Sequence, residues 1–104
     1  HAEMTAIRAA CSAMKVFRLE GCELYTSCEP CPMCLSAIYW AGIRKIYFAN
    51  TREDAKRIGF DDSFIYEEIA LPPPQRRLRS CRILSEEARK AFVLWDEKSD
   101  KREY

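Results

Sequence analysis

Two cysteines framed by prolines constrain this chain more than any other feature of its sequence. Cys31 and Cys34 are three residues apart, a spacing at which two thiolates can share one metal ion. The prolines on both sides of Cys31 are incompatible with a helix interior, whereas Pro32 fits the first turn of a helix, where its missing N–H costs nothing. We therefore predict that a helix begins at Pro32, with both thiols at its N-terminus, where the macrodipole lowers the pKa of a thiol.

His1 and Glu3 complement the two thiols. His1 is the only histidine of the chain, and with Cys31 and Cys34 it makes a set of three metal ligands. Three protein ligands leave one position open for water, which is typical of catalytic zinc. Because residues two apart on a helix diverge by about 200°, His1 and Glu3 can face one ion only near a helix end. We predict that His1, Cys31 and Cys34 bind one zinc ion per chain, and that Glu3 is the catalytic base.

Two other interpretations of the cysteines stay open at this point. A redox pair of the thioredoxin type would use Cys31 and Cys34 and would need neither His1 nor Glu3. A closed structural zinc site would recruit Cys28, because it too lies three residues from Cys31. Such a site needs four ligands and leaves Glu3 without a role, so we favour the catalytic site.

His-x-Glu followed by Pro-Cys-x-x-Cys is the signature of zinc-dependent nucleobase deaminases. On these residues the chain resembles the cytidine deaminase superfamily and, within it, the bacterial guanine deaminases. The resemblance is carried by residues 1–8, 24–34, 37–41 and 59–66 and by the terminal Tyr104. It is weakest between residues 71 and 101.

The resemblance implies an α/β fold of the cytidine deaminase type, in which three α/β/α layers enclose a mixed sheet. The chain would be one deaminase domain over residues 1–104, N-terminally incomplete and lacking the first helix and hairpin of that fold. The implied reaction is hydrolysis of guanine to xanthine and ammonia in purine catabolism. A tRNA adenosine deaminase, or another nucleoside or cytosine deaminase of the superfamily, is the alternative.

Three residues are candidates for contact with the purine. Asp61 and Asp62 precede an apolar pair, a position where aspartate commonly caps a helix. We expect one of the two to be the helix cap, and the resemblance implies that Asp62 contacts the purine. The resemblance also places Tyr104 at the purine, in the site of the partner subunit of a homodimer with a swapped C-terminal segment. Trp40 is the third candidate, although packing in the core is the commoner role of such a residue.

Composition limits the partners and the compartment. A net charge of +1 gives little attraction to nucleic acid or to an acidic membrane, and no apolar run approaches the length of a membrane span. We predict a small purine base as the partner, with no membrane and no nucleic acid. The apolar fraction of 48% and the three glycines argue against a disulfide scaffold, so we expect a reducing cytoplasm. The cysteines outside the proposed site are Cys11, Cys22, Cys28 and Cys81.

Hydrophobic periodicity predicts alternating helices and strands, which favours parallel strands. The predicted helices cover residues 1–14, 32–42, 51–58 and 61–69 and a last segment from Ser85; the predicted strands cover residues 22–26, 44–49 and 77–84. In the first helix we expect a buried stripe of Met4, Ile7, Cys11 and Met14. The arginines Arg76, Arg77, Arg79 and Arg82 are interpreted as a solvated edge strand rather than an RNA-binding patch.

Overall fold

The computed structural model describes residues 1–103 and divides into two compact units, residues 1–70 and the segment that begins at Leu71. The first unit contains α1 (Ala2–Met14), β1 (Glu23–Cys28), α2 (Pro32–Trp40), β2 (Lys45–Asn50), α3 (Arg52–Arg57) and α4 (Ser63–Ala70). The second contains a short 3-10 turn (Pro73–Gln75) and α5 (Ser85–Asp96). Within this described range, no helix has both the length and the apolar character needed to cross a bilayer.

A strand–helix–strand unit forms the centre of the first unit and confirms the α/β class. β1 and β2 pair in parallel, from Glu23 opposite Lys45 to Cys28 opposite Asn50, and α2 connects them. Because the strands are parallel, the chain leaves both at the same edge of the sheet. The Glu29 N–H donates to Asn50 O at 2.8 Å and keeps the two departing loops together.

The core lies between one face of this sheet and the helices α1 and α2. Ile7 of α1, Leu24 of β1 and Ile38 of α2 are buried together. The opposite sheet face carries Tyr25 and Tyr47, whose stacked ring centroids are 4.6 Å apart. Further buried members of the core are Leu19, Ala41 and Ile43.

Local capping explains why α3 forms in a segment with little hydrophobic burial. The Thr51 hydroxyl accepts a hydrogen bond from the Asp54 N–H at 3.2 Å, and the Asp54 carboxylate accepts one from the Thr51 N–H at 2.9 Å. This reciprocal capping box satisfies two N–H groups that a helix start otherwise leaves unpaired. Gly59 follows the helix at φ +94°, a conformation that favours glycine. Both ends of α3 were predicted from the sequence.

The predicted strand at residues 77–84 is wrong. No strand forms there, and Leu78 and Ile83 are 80% and 73% exposed. An extended segment is stabilised as a strand only when a neighbour pairs its N–H and C=O groups, and no such neighbour is present among the described residues. Leu84 also adopts φ +50° immediately before α5, which ends any extended path. The edge-strand interpretation of the four arginines is therefore wrong as well.

The buried stripe of α1 is shorter than predicted. Ile7 is buried, and Met4 and Cys11 are half-buried, but Met14 is 55% exposed. The helix stops directly after Met14 because Lys15 adopts the left-handed conformation at φ +54°. The last turn of α1 consequently extends beyond the core that α2 and the sheet provide.

Candidate active site

Three potential metal ligands converge where two helices begin. His1 is the N-cap of α1, Cys31 is the N-cap of α2, and Cys34 lies in the first turn of α2. His1 Nδ1 is 3.5 Å from Cys31 Sγ. Taking one ligand atom from each of the three residues, all lie within 4.8 Å of one another. This is the convergence of helix N-termini that the sequence predicts.

The prolines of the cysteine loop set its path. Cys31 is extended (φ −65°, ψ +167°), and Pro32 occupies the first helical position. The Leu35 N–H donates to Cys31 O at 2.8 Å, which closes the first turn of α2. The loop therefore changes from strand to helix at Cys31, so that Cys31 and Cys34 both face the start of α1.

The donor set fits zinc. Thiolates and imidazole are preferred zinc ligands, with bond lengths of about 2.0–2.3 Å, and ligand atoms within 4.8 Å of one another need only small adjustments to share one ion. Burial and the neighbouring Cys31 and Glu3 raise the pKa of the Cys34 thiol to about 12. The predicted lowering by the helix N-terminus is thus wrong for Cys34, because this fully buried sulfur lies among acidic groups. A cation at this point favours the thiolate, so metal binding and thiol ionisation are linked.

Glu3 is held as a carboxylate beside these ligands. Its Oε1 accepts a hydrogen bond from the Thr26 hydroxyl at 2.9 Å, and its Oε2 accepts one from Cys34 Sγ at 3.6 Å. Burial raises the pKa of Glu3, but the hydrogen bonds from its own N–H, from Thr26 and from Cys34 outweigh burial and leave the pKa below its ordinary value. Glu3 is therefore ionised near neutral pH and can accept a proton.

A cavity of about 840 Å³ opens over this group. Its lining residues include His1, Glu3 and Cys31, and the loop between α3 and α4 contributes Ile58, Gly59, Phe60, Asp61 and Asp62. The remaining lining residues are Ser27, Cys28, Glu29, Asn50, Asp54 and Ala55. Three of the lining carboxylates, Glu29, Asp54 and Asp61, are paired with arginine or lysine. Asp62 forms no ion pair within residues 1–103, so its carboxylate can accept hydrogen bonds from a ligand with N–H donors.

Comparison with known proteins gives the family. The sequence family described as "Cytidine and deoxycytidylate deaminase zinc-binding region" matches residues 1–50. Guanine deaminase of Bacillus subtilis (strain 168) is 47% identical over all 104 residues, which cover 67% of its length. The crystal structure of guanine deaminase from Bacillus subtilis superimposes with a TM-score of 0.93 over the whole chain and 66% of that structure. The chain belongs to the guanine deaminase family.

The chain spans about two thirds of the length of that guanine deaminase. A tRNA-specific adenosine deaminase of Agrobacterium fabrum (strain C58) is 50% identical, but only over 48 residues, which are 46% of this chain and 32% of that protein. The cofactor of the family is zinc, in keeping with the zinc-binding region at residues 1–50 and with the His/Cys/Cys group.

The two aspartates before α4 have different surroundings in this guanine deaminase homologue. Asp61 Oδ1 accepts hydrogen bonds from the Ser63 N–H at 3.0 Å and from the Ser63 hydroxyl, and its Oδ2 is 3.1 Å from Lys56 Nζ. These contacts lower the pKa of Asp61 to about 2. Asp62 lines the cavity, and within residues 1–103 its carboxylate forms no hydrogen bond or ion pair. The local capping contact belongs to Asp61, which leaves Asp62 available to a ligand.

Of the other two candidate purine contacts, only Trp40 falls within the described residues, and it does not line the cavity. Trp40 lies in the last turn of α2, is 65% exposed and is not among the lining residues. It is therefore not packed in the core of the first unit either. Tyr104 lies outside the described residues, and its contact with the purine stays a prediction.

Cys28 does not join the metal ligands. Its thiol donates to Thr51 O at 3.7 Å, and the His1, Cys31 and Cys34 group does not include it. This arrangement gives no support to a closed structural site that uses Cys28 as a ligand.

Sequence reasoning missed the residues that support Glu3 and shape the wall. Thr26 holds Glu3 from β1, and alternation along β1 could have placed it on the same face as Leu24. Phe60 and Asn50 line the cavity from the ends of α3 and β2. Asn50 could have been placed beside the cysteine loop only by predicting that β1 and β2 pair in parallel.

Proposed function

We propose that the protein hydrolyses guanine to xanthine and ammonia, with zinc bound by His1, Cys31 and Cys34 and with Glu3 as proton carrier. One observation carries the proposal: Glu3 Oε2 lies 3.6 Å from Cys34 Sγ, within the group of His1, Cys31 and Cys34, and Glu3 lines the same cavity as Asp62. Membership of the guanine deaminase family supports the choice of substrate.

The chain's own residues provide the proton transfers. Zinc, when bound in such a site, activates water as a nucleophile near neutral pH. Glu3, held at Oε1 by Thr26, takes one proton from the water and gives it to a ring nitrogen of guanine. It then passes the second proton to the amino group, which leaves as ammonia. A C–O bond forms and a C–N bond breaks, so guanine and water balance xanthine and ammonia.

Asp62 is proposed to bind the purine. Guanine presents several N–H groups, and a carboxylate without an internal partner is a strong acceptor for them. The neighbouring Asp61 carboxylate is occupied by Ser63 and Lys56, so Asp62 is the one of the pair able to make this contact. Trp40 and Tyr104 stay proposed as further purine contacts with the resemblance to guanine deaminases as their only support, because Trp40 does not line the cavity and Tyr104 lies outside the described residues.

A tRNA adenosine deaminase is the second candidate. The 50% identity to such a protein over 48 residues favours it. One observation weighs against it: that match covers less than half of the chain. Ammonia release from guanine, adenosine, cytidine and a tRNA anticodon stem separates the candidates. Release from guanine alone is expected, and release from the tRNA stem alone would contradict the proposal.

Replacing Asp62 with asparagine should lower guanine deamination far more than it lowers the melting temperature. Asparagine caps a helix about as well as aspartate, so a purely local role predicts little change. An amide, however, replaces one acceptor oxygen by a donor that faces the N–H groups of the base. Steady-state kinetics and thermal unfolding measure the two effects. Asp100→Asn, in an exposed pair with Lys98, is the matched control. Equal activity of the two variants would contradict binding of the purine by Asp62.

A cytoplasmic homodimer is proposed as the working form, with a role in purine catabolism. In this arrangement the C-terminal segment of one subunit reaches the site of the other, and Tyr104 closes over the purine, which excludes water. The support is the resemblance to guanine deaminases. Mixing a Glu3→Gln chain with a chain that lacks Tyr104 should restore part of the activity, because one site of the mixed dimer has both residues. Two inactive parents that stay inactive on mixing would contradict a swapped Tyr104.

A further inference from the structure

A closed chain of contacts links the cysteine loop to the cavity wall. Its members are Glu29, which lies two residues before the ligand Cys31, Arg52 at the start of α3, and Tyr66 in the second turn of α4. We call these three residues the loop clamp. None of them was singled out by the sequence motifs as a functional residue, and none is a metal ligand.

The first contact joins the loop to α3. The Glu29 carboxylate accepts a hydrogen bond from the Arg52 N–H at 3.2 Å, and its other oxygen is 3.3 Å from Arg52 Nε. The Arg52 N–H is at the first position of α3, where a helix offers it no partner. The Glu29 carboxylate therefore pairs with both the backbone N–H and the guanidinium of Arg52.

The second contact joins α3 to α4 and returns to the loop. The Arg52 guanidinium lies over the Tyr66 ring, 4.2 Å from its centroid. The Tyr66 hydroxyl donates to Pro30 O at 3.1 Å, and this carbonyl belongs to the peptide bond that leads into Cys31. Burial raises the pKa of Tyr66 above its ordinary value, so the phenol stays protonated and able to donate.

The position of Arg52 depends on these two neighbours. Its Nε is buried, and within residues 1–103 no atom meets it with hydrogen-bond geometry. The guanidinium is therefore placed by the ion pair with Glu29 and by the face of Tyr66 rather than by a hydrogen bond of its own. A partly buried charge left without its partners is unfavourable, so loss of one member disturbs the others.

We propose that Arg52 is a positioning residue for the metal site: through Glu29 and Tyr66 it holds Pro30 and Cys31 in the path that brings the Cys31 sulfur beside His1. Because α4 also begins next to Asp62, the same contacts fix the cysteine loop relative to the proposed purine wall. The inference rests on the proposed zinc site. Residues that orient metal ligands typically change metal affinity by about 10–100-fold when they are replaced.

The test measures zinc in competition with a chromogenic chelator, together with the absorption bands of the cobalt-substituted protein, which report ligand geometry. Arg52→Met, which keeps an unbranched apolar side chain and removes the charge, should lower zinc affinity about 10-fold and shift the cobalt bands. Arg52→Lys, which keeps the charge without the planar group, should have a smaller effect. Arg57→Met is the matched control, since Arg57 lies on the same helix in an exposed pair with Asp54.

Tyr66→Phe provides a second measurement that does not depend on the folding of an arginine variant. It removes only the hydroxyl that donates a hydrogen bond to Pro30 O, and it should lower zinc affinity as Arg52→Met does. Tyr39→Phe, at an exposed tyrosine, is its control. Zinc affinity and cobalt bands equal to those of the controls, with or without a lower melting temperature, would overturn the proposal. Because these readouts need no substrate, failure to deaminate guanine would count against the proposed reaction and not against this inference.

Discussion

Replacing Glu3 with glutamine is expected to lower guanine turnover by ~10²–10⁴-fold, the usual contribution of a general acid–base residue. The amide has nearly the same shape, and its oxygen can still accept the hydrogen bond from Thr26 that now reaches Oε1 at 2.9 Å. It cannot take a proton from water or return one to the leaving amine. Zinc content should stay at the parent level, because Glu3 is not one of the three ligands.

Zinc analysis and ammonia release on the same preparation check this expectation. Glu20→Gln is a suitable control, since it makes the same chemical change at an exposed carboxylate paired with Arg18 at 2.8 Å. Loss of zinc in the Glu3 variant would mean that Glu3 helps to hold the metal, and the division between ligands and proton carrier would be wrong.

Replacing Cys34 with serine should abolish stoichiometric zinc binding. The sulfur is fully buried, and serine fills almost the same space and can still donate to Glu3, so packing is nearly conserved. A hydroxyl is a poor zinc ligand beside thiolate and imidazole. In the parent, free zinc at about a hundred times its Kd adds about 2.7 kcal/mol of stability, and this zinc-dependent rise in melting temperature should disappear in the variant.

Cys28→Ser is the internal control for the ligand assignment. Cys28 is three residues from Cys31, just as Cys34 is, but its thiol donates to Thr51 O. Thermal unfolding with and without added zinc should show the parent response for Cys28→Ser and no response for Cys34→Ser. Loss of the zinc response in Cys28→Ser as well as in Cys34→Ser would support a closed structural site that includes Cys28.

The convergence of His1, Cys31 and Cys34 could be predicted from the sequence because their positions follow from local rules. Pro32 can only begin a helix, which puts Cys31 and Cys34 at the start of α2. His1 and Glu3 can meet one ion only at a helix end. The convergence then requires no more than one strand and one helix between the two motifs, and this is the arrangement observed.

The supporting residues could not be predicted in the same way. Arg52 and Tyr66 reach the cysteine loop only because β2 pairs in parallel with β1 and directs α3 and α4 to the same edge. Nothing in the local sequence of Arg52 distinguishes it from Arg57, which pairs with Asp54 on the surface. Such roles depend on tertiary pairing, which residue spacing does not encode.

The failed strand at residues 77–84 has a related cause. Its alternation of residue types is compatible with a strand, but a strand is stabilised by its partners rather than by its own sequence. The prediction that Met14 is buried is wrong for a similar reason. Periodicity places Met14 on the buried side of α1 but does not indicate how far along α1 the sheet and α2 extend to cover it. Both errors concern what surrounds a segment, whereas the helix ends at Thr51 and Gly59, which depend on local backbone chemistry, were predicted.

The parallel register of β1 and β2 has a consequence for how such an enzyme can change its specificity. The connection after β1 carries both cysteines, and the connection after β2 carries Asp62 and Phe60. The two cysteines of the proposed zinc site and the proposed base contact Asp62 are thus encoded in separate stretches that meet at one sheet edge, where the start of α1 adds His1 and Glu3. On the proposed assignment, exchanging the stretch after Asn50 is expected to change the selectivity and to leave the proposed zinc ligands in place, provided that the new stretch keeps an arginine that pairs with Glu29 as Arg52 does.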